Sequence, residues 1–197
     1  MTPQPNRRTA IALGLAALAV PRAAQALTPQ AAQTLVSALV AEVNAVIASG
    51  ASEAAMIDRF AAIFDRYADV PTIARYCLGS SARSASAADL AAYTAAFRGY
   101  IARKYGRRFR EFVGGEIVVV RAQTVKTWVE VETTVMLRGR SPFRMDWHVS
   151  DRSGRDAFFN FIIEGVNMLL TEREEIGAML DRRRGSLPAL IADMQAV

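Results

Sequence analysis

Apolar residues recur every three or four positions through the first half of the chain, a spacing typical of amphipathic helices. The first stripe includes Leu39 and Val43. It follows Thr28 and Pro29, which suit the cap and the first turn of a helix. Gly50 then suits its end. The predicted helices span residues 29–49, 52–67, 69–78 and 86–106.

From residue 116 onward, apolar and polar side chains alternate, as in strands that have one buried face. The alternation is clearest over residues 127–137 and 143–149. The run from Phe158 to Ile163 is almost entirely apolar, and we predict a buried strand there that turns into a helix at Gly165. Helices followed by sequential strands predict the α+β class with an antiparallel sheet.

The first residues of the chain have the composition of a signal peptide. Arg7 and Arg8 precede an apolar segment at residues 10–20, and a small-residue cleavage pattern follows it. This segment is shorter than the roughly 20 residues that span a bilayer. We therefore expect an exported protein, with a signal peptide at residues 1–26 and a single domain at residues 27–197.

The charge of the chain changes when the signal peptide is set aside. The whole sequence has a net charge of +5, but residues 1–26 hold three of its 24 basic residues and no acid. The remaining domain has 21 basic and 19 acidic residues, a net charge of +2. That is too little for a general polyanion binder, so we expect no nucleic-acid partner.

The sequence contains no recognisable catalytic or metal-binding pattern. His148 is the single histidine, and we expect it on the solvent face of its strand. Cys77 is the single cysteine, so the chain has no internal disulfide, and we expect a buried structural thiol. These features favour a binding protein over an enzyme, with neither a cofactor nor a metal ion.

The Glu164-Gly165 step suggests a structural lock. Gly165 lets the backbone leave the strand at an angle closed to other residues. Glu164 has a candidate partner in Arg173, with Arg75 and Arg83 as alternatives, and such a pair would fix helices to the sheet. A role of Glu164 in ligand recognition, or simple exposure to solvent, remains open.

Two basic clusters have two open interpretations. Either they are solvated helix ends, or they contact anionic headgroups or an acidic partner. The clusters consist of Arg103, Lys104, Arg107, Arg108 and Arg110, and of Arg182, Arg183 and Arg184.

Short patterns follow one another in a recognisable order. The N-terminal half contains Phe64-Asp65, Ile73-Ala74-Arg75, Leu78-Gly79, Arg83 and Ala85-Ser86, and then Phe97, Tyr100 and Tyr105. The C-terminal half contains Phe143-Arg144-Met145, Ile163-Glu164-Gly165-Val166-Asn167, Arg173 and a closing segment from Ser186 to Met194. Over most of residues 55–194 the chain thus resembles the MlaC family, the periplasmic auxiliary components of ABC transporters also named for toluene tolerance. It departs from the family pattern at Ala82, Asp156, Asn160, Asn167 and Glu172.

The resemblance implies a lipid carrier in which a curved sheet and helices enclose an apolar pocket, with the lipid headgroup near the mouth. Residue type and facing then suggest the pocket walls. The candidates are Phe97, Ile101, Val131, Val135, Met145, Trp147, Phe161, Ile163 and Val166.

The resemblance also implies partners and a place in the cell. A protein of this kind works in the periplasm and passes phospholipid between an outer-membrane lipoprotein complex and an inner-membrane ABC transporter complex, which maintains outer-membrane lipid asymmetry. The hopanoid-associated HpnM branch of the same family is an alternative. So is a small enzyme resembling ketosteroid isomerases, for which a cavity carboxylate without a cationic partner would be the sign.

Overall fold

The computed structural model describes residues 26–196, so the predicted signal peptide lies almost wholly outside the described residues. Within this range, the helices are α1 (Pro29–Ala48), α2 (Glu53–Tyr67), α3 (Val70–Leu78), α4 (Ala87–Gly106), α5 (Met168–Arg182) and α6 (Leu187–Ala196). The strands are β1 (Glu116–Val125), β2 (Trp128–Met136), β3 (Phe143–Ser150), β4 (Ala157–Ile163) and β5 (Val166–Asn167). Short 3-10 helices occupy Gly79–Arg83 and Arg107–Phe112.

The predicted α+β class is confirmed. Among the described residues, four α-helices precede an antiparallel sheet whose strands neighbour one another in sequence order, β1 to β5, and two α-helices follow it. The helices begin where the sequence offers caps. The hydroxyl of Thr28 accepts the Ala31 amide proton over 3.1 Å, and the hydroxyl of Ser86 accepts that of Asp89 over 3.1 Å. Each cap satisfies one backbone donor that the first turn leaves unpaired.

Helix α1 covers the β1 and β2 side of the sheet. Its apolar stripe is buried there, including Val36, Leu39 and Val43. By length and composition alone, α1 could cross a membrane, a property that buried core helices share with spanning helices. Because its stripe packs against the sheet and α2, we describe α1 as a core helix.

The two faces of the sheet have different chemistry, as the alternation predicted. On the inner face of β2, Val129, Val131 and Val135 are buried beneath the helices. On the outer face, Arg144 of β3 pairs with the carboxylates of Glu130, Glu132 and Asp146. The inner face is therefore the one that can line a cavity.

A bulge in β4 keeps its large rings on the inner face. His148 pairs with Asn160 and Val149 pairs with Phe158, so Phe159 is the extra residue between them. Phe158 and Phe161 both contact the inner-facing Trp147, with ring centroids 5.2 and 5.5 Å away. Strict alternation would put residues three apart on opposite faces, and the bulge removes this conflict.

The free edge of β1 is closed at one point by a side chain of α1. The Asn44 amide donates from Nδ2 to the Ile117 carbonyl over 3.0 Å, and its Oδ1 accepts the Ile117 amide proton over 3.2 Å. Asn44 therefore takes the place of a neighbouring strand at that residue. Covering edge groups in this way hinders pairing with another chain.

The Glu164-Gly165 step forms a two-residue hairpin loop, and this corrects the predicted direct passage from strand to helix. Both residues have positive φ, +48° and +83°, and Ile163 pairs with Val166 across the loop. This is the backbone geometry of the tight turns that suit the twist of paired strands. Helix α5 begins after the short β5, capped by Asn167, whose Oδ1 accepts the Leu170 amide proton over 3.1 Å.

We predict that Asn44→Ala lowers the free energy of unfolding by about 1–2 kcal/mol, because two hydrogen bonds to the edge strand are lost. Chemical denaturation measures this, and light scattering should show faster aggregation on heating. Ser37→Ala, on the exposed side of α1, is the matched control and should change neither quantity. Equal stability of the two variants would contradict a role for Asn44 at the edge.

We predict opposite effects for two glycine substitutions that meet no neighbouring atom within 4 Å. Gly165→Ala should destabilise the protein by about 1–2 kcal/mol, because an alanine at φ +83° is strained. Gly177→Ala lies within α5, where alanine favours the helix by about 0.5–1 kcal/mol. Thermal melts of both variants test this, and stabilisation by Gly165→Ala would refute the turn geometry.

Candidate functional site

An apolar cavity of about 290 Å³ lies between the helices and the inner face of the sheet. Helix α1 contributes Leu39 and Val43. The α2 side is formed by Phe60, Ile63 and Phe64, and the α4 side by Ile101 and Tyr105. The sheet contributes Ile117, Met145, Trp147, Phe158, Phe161 and Ile163.

Trp147 is the central ring of the sheet wall. Its indole N–H donates to Thr133 Oγ1 over 3.3 Å, and the Thr133 hydroxyl donates to the Met145 carbonyl over 2.8 Å. Thr133 is fully buried, so this chain satisfies polar groups that burial would otherwise leave unpaired. The indole is thereby held in one orientation, and its apolar surface forms part of the cavity wall.

The mouth of the cavity is charged, in contrast to its walls. Arg108 and Glu111 come from the 3-10 helix after α4, Arg140 from the β2–β3 loop, and Glu164 from the hairpin loop. Arg140 lies 3.6 Å from the Glu164 carboxylate, and its guanidinium lies 5.3 Å from the centre of the Phe143 ring. The mouth can therefore bind a polar group while the walls bind apolar chains.

A smaller void of about 30 Å³, which we call the inner void, lies beside the cavity. Both are lined by Phe64, Ile101, Tyr105, Phe158 and Phe161. These five side chains form the partition between the two spaces.

A buried ion pair lies at the inner void and joins α4 to α5. Glu172 lines the void, and its Oε1 accepts from Lys104 Nζ over 2.8 Å and from the Tyr105 hydroxyl over 2.6 Å. Lys104 also donates to Glu175 over 2.5 Å. The Glu172 side chain is only 5% exposed, so the pair is shielded from solvent on the carboxylate side.

The structure places five of the nine predicted wall residues on the cavity. These are Ile101, Met145, Trp147, Phe161 and Ile163.

The other four predicted wall residues lie elsewhere. Phe97 lines the inner void. Val131 and Val135 are fully buried in β2, the strand on which α1 packs, and lie outside the cavity lining. Val166 lies outside it too, 54% exposed in β5 after the hairpin loop.

Sequence reasoning missed the whole contribution of α2 to the cavity. Phe60, Ile63 and Phe64 lie on one helical face, as predicted, and that face lines the cavity. The stacked rings of Phe60 and Phe64 are 6.1 Å apart. A stripe of large aromatics is also what a filled core requires, so the spacing alone did not distinguish a wall from a core.

The predicted lock of helices to the sheet by Glu164 and Arg173 is not formed. Glu164 contacts Arg140 at the cavity mouth, and Arg173 binds α3 instead. The Arg173 guanidinium donates to the Tyr76 carbonyl over 3.1 Å and lies 4.8 Å from the centre of that ring. Arg173 therefore joins α5 to the end of α3, while Glu164 is half exposed beside Arg140.

His148 is buried rather than exposed, which corrects the expectation from its strand. The rings of Trp128 and Phe159 cover it on the outer face, at centroid distances of 5.5 and 5.8 Å. Burial lowers the pKa of His148, so the ring is neutral at physiological pH.

The Cys77 thiol is buried as well. Burial raises the pKa of Cys77 to about 12, so the thiol is protonated and a poor nucleophile. Among residues 26–196, no three His, Cys, Asp or Glu side chains are grouped to hold a metal ion.

The basic clusters are divided among different roles. Lys104 faces inward to Glu172, and Arg103 donates to the Met194 carbonyl over 2.5 Å. Arg183 pairs with Asp193, and Arg108 lines the cavity mouth. Neither cluster is therefore a uniform charged surface.

Comparison with known proteins gives a family and a fold. A family model described as MlaC protein matches residues 16–196. A solved structure of a phospholipid-binding protein from Ralstonia solanacearum, in complex with a phospholipid, superposes with a TM-score of 0.71 at 17% sequence identity. The match covers 84% of this chain and 95% of that one.

We predict that Lys104→Met lowers the free energy of unfolding by about 3–5 kcal/mol, because it leaves the buried Glu172 carboxylate without its cation. Arg98→Met is the matched control on the same helix. Arg98 pairs with Asp65 at the surface, and such pairs contribute about 0–1 kcal/mol. Urea denaturation of both variants measures the difference, and equal effects would show that the Lys104 pair is not shielded from water.

Proposed function

The chain belongs to the MlaC family, and we propose that it is a periplasmic lipid-binding shuttle that carries phospholipid. In this proposal, residues 1–26 direct export and residues 27–197 form one lipid-binding domain. The partners are an outer-membrane lipoprotein complex and an inner-membrane ABC transporter complex. The protein binds and transfers its cargo without chemical change.

The observation that carries the proposal is the apolar cavity itself. It has a volume of about 290 Å³, and its walls are mostly aromatic and aliphatic side chains. A ligand that fills it with methylene groups gains about 0.8 kcal/mol for each group buried.

The proposed walls are the residues that line the cavity. From the sequence prediction we keep Ile101, Met145, Trp147, Phe161 and Ile163, and we leave out Val166 because its side chain is exposed. Phe97 lines the inner void, and Val131 and Val135 of β2 are buried in the core.

The charged mouth suits the phosphate of a lipid headgroup. A guanidinium can donate two parallel hydrogen bonds to phosphate oxygens, and Arg108 and Arg140 both line the mouth. Arg140 lies 3.6 Å from the Glu164 carboxylate, which is a long contact for an ion pair. A phosphate could bind Arg140 at a shorter distance. The carboxylates of Glu111 and Glu164 would disfavour additional negative charge there.

The size of the cavity bears on how a two-chain lipid enters. An apolar cavity of about 150 Å³ holds benzene, so the present one holds part of a single acyl chain. A phospholipid therefore requires the walls to move apart. The partition residues are suited to this movement, because their displacement would join the cavity to the inner void.

The described residues support the isomerase-like alternative less well than the carrier. An isomerase-like site would need a cavity carboxylate without a cationic partner. The buried carboxylate beside the cavity belongs to Glu172, and Lys104 Nζ lies 2.8 Å from it. The arrangement favours binding over catalysis.

The direct test is native mass spectrometry of the purified protein, followed by lipid extraction from the same sample. We expect a complex whose added mass equals one phospholipid, and a higher melting temperature for the loaded protein than for the delipidated one. A hopanoid in the extract would support a lipid carrier but identify a cargo other than phospholipid. A protein that stays lipid-free after incubation with phospholipid vesicles would contradict the proposal.

Two neighbouring residues of β4 provide a matched pair of variants. Ile163→Asn places a polar amide on the cavity wall, where an acyl chain cannot satisfy it, and should weaken lipid binding roughly tenfold. Ile162→Asn makes the same change on the outer face, opposite Asp146, and should leave lipid occupancy unchanged. Equal lipid content in both variants would show that the cargo does not use this cavity.

A further inference from the structure

One oxygen of the buried Glu172 carboxylate has no hydrogen-bond partner in the described part of the chain. Its Oε1 binds Lys104 and Tyr105, while Oε2 is buried and meets no hydrogen-bond donor among the described residues. A buried, unpaired acceptor on a charged group is strongly unfavourable, because it loses its water without replacement. The geometry therefore calls for a donor that the described residues do not supply.

The inner void gives such a donor a place. Glu172 lines this void of about 30 Å³, which exceeds the roughly 10–15 Å³ that one water molecule or hydroxyl group requires. The other polar side chains on the void are already engaged. The Tyr105 hydroxyl binds Glu172 Oε1, and Asn160 Oδ1 accepts the Leu169 amide proton over 3.0 Å.

The position of the void links Glu172 to the ligand. The partition side chains line both the void and the cavity, and one of them, Tyr105, binds Glu172. A ligand group that reaches past the partition would meet apolar side chains on most sides and one carboxylate oxygen that has no partner among the described residues.

We propose that Glu172 is a second recognition site beside the lipid cavity, and that it binds a hydroxyl group of an apolar ligand that reaches past the partition. The hydroxyl donates to Glu172 Oε2, while Lys104 balances the carboxylate charge. The interaction is a hydrogen bond only: no covalent bond forms or breaks, and no proton is transferred. The inference rests on the proposed function, because it assigns a cargo preference within the same cavity.

The test compares two ligands that differ only at the distal end. An ω-hydroxy fatty acid and the unsubstituted fatty acid one carbon longer have the same number of non-hydrogen atoms. Pairs based on twelve, fourteen and sixteen carbons cover the unknown depth of the void. Their dissociation constants are measured by displacement of a fluorescent fatty acid from delipidated protein.

We expect the wild-type protein to bind the hydroxylated member of at least one pair as tightly as, or more tightly than, its methyl-ended counterpart. In Glu172→Leu the hydroxyl would be buried without an acceptor. The ratio of the two dissociation constants should therefore shift by roughly tenfold or more against the hydroxylated ligand. Glu175→Leu is the matched control, because Glu175 binds the same Lys104 but lies outside the void lining, and it should keep the wild-type ratio.

Different failures have different meanings. If the methyl-ended ligands bind and the ratio is the same in wild type and Glu172→Leu, the inner void takes only water and the inference is overturned. If Glu172→Leu does not fold, the dissociation constants of the wild-type protein are the test. A tenfold preference for the methyl-ended member of every pair then overturns the inference. If no fatty acid binds the wild-type protein, the inference is overturned, while the lipid-carrier proposal is decided separately by the experiment with phospholipid vesicles.

Discussion

The constraint that shapes this fold is an apolar cavity that its own walls must not fill. Large side chains line it, and a small movement of any helix toward the sheet would reduce its volume. Hydrogen bonds between the helices and the sheet oppose closure of the cavity. Arg155 donates to the Arg66 carbonyl at the end of α2, and the Asp69 amide at the start of α3 donates to the Phe158 carbonyl of β4. These bonds fix one end of the helical layer relative to the sheet.

Polar contacts between helices differ in strength according to their burial. Glu42 of α1 binds both Arg66 and Tyr67 of α2 near the surface, where water weakens ion pairs. The Lys104–Glu172 contact is shielded on the carboxylate side and lies next to the partition. It also holds the Tyr105 hydroxyl, so the same contact that joins α4 to α5 positions one of the rings between the cavity and the inner void.

The sequence predicted the elements well because periodicity reports which face of an element is buried. It could not report what covers that face. Val135 and Met145 both face inward. Val135 lies on β2, which α1 covers, whereas Met145 lines the cavity. Glu164 shows another limit. The special backbone conformation at Gly165 could be inferred from the residue type. The partner of Glu164 could not, because it depends on where the β2–β3 loop places Arg140. Glu172 gave no signal in sequence, since a helical glutamate is ordinarily solvent-exposed.

A carrier must release its cargo as well as bind it. A lipid leaving a bilayer for this cavity exchanges one apolar environment for another, so the large free energy of burying its chains nearly cancels. In the proposed carrier, smaller free-energy differences remain: binding of the headgroup at the charged mouth, the work of moving the partition side chains apart, and the contacts of the ligand beyond the partition. Each of these is a few kcal/mol or less, within the range that docking to a partner can supply. A cavity with apolar walls and polar ends can therefore select its cargo without holding it irreversibly.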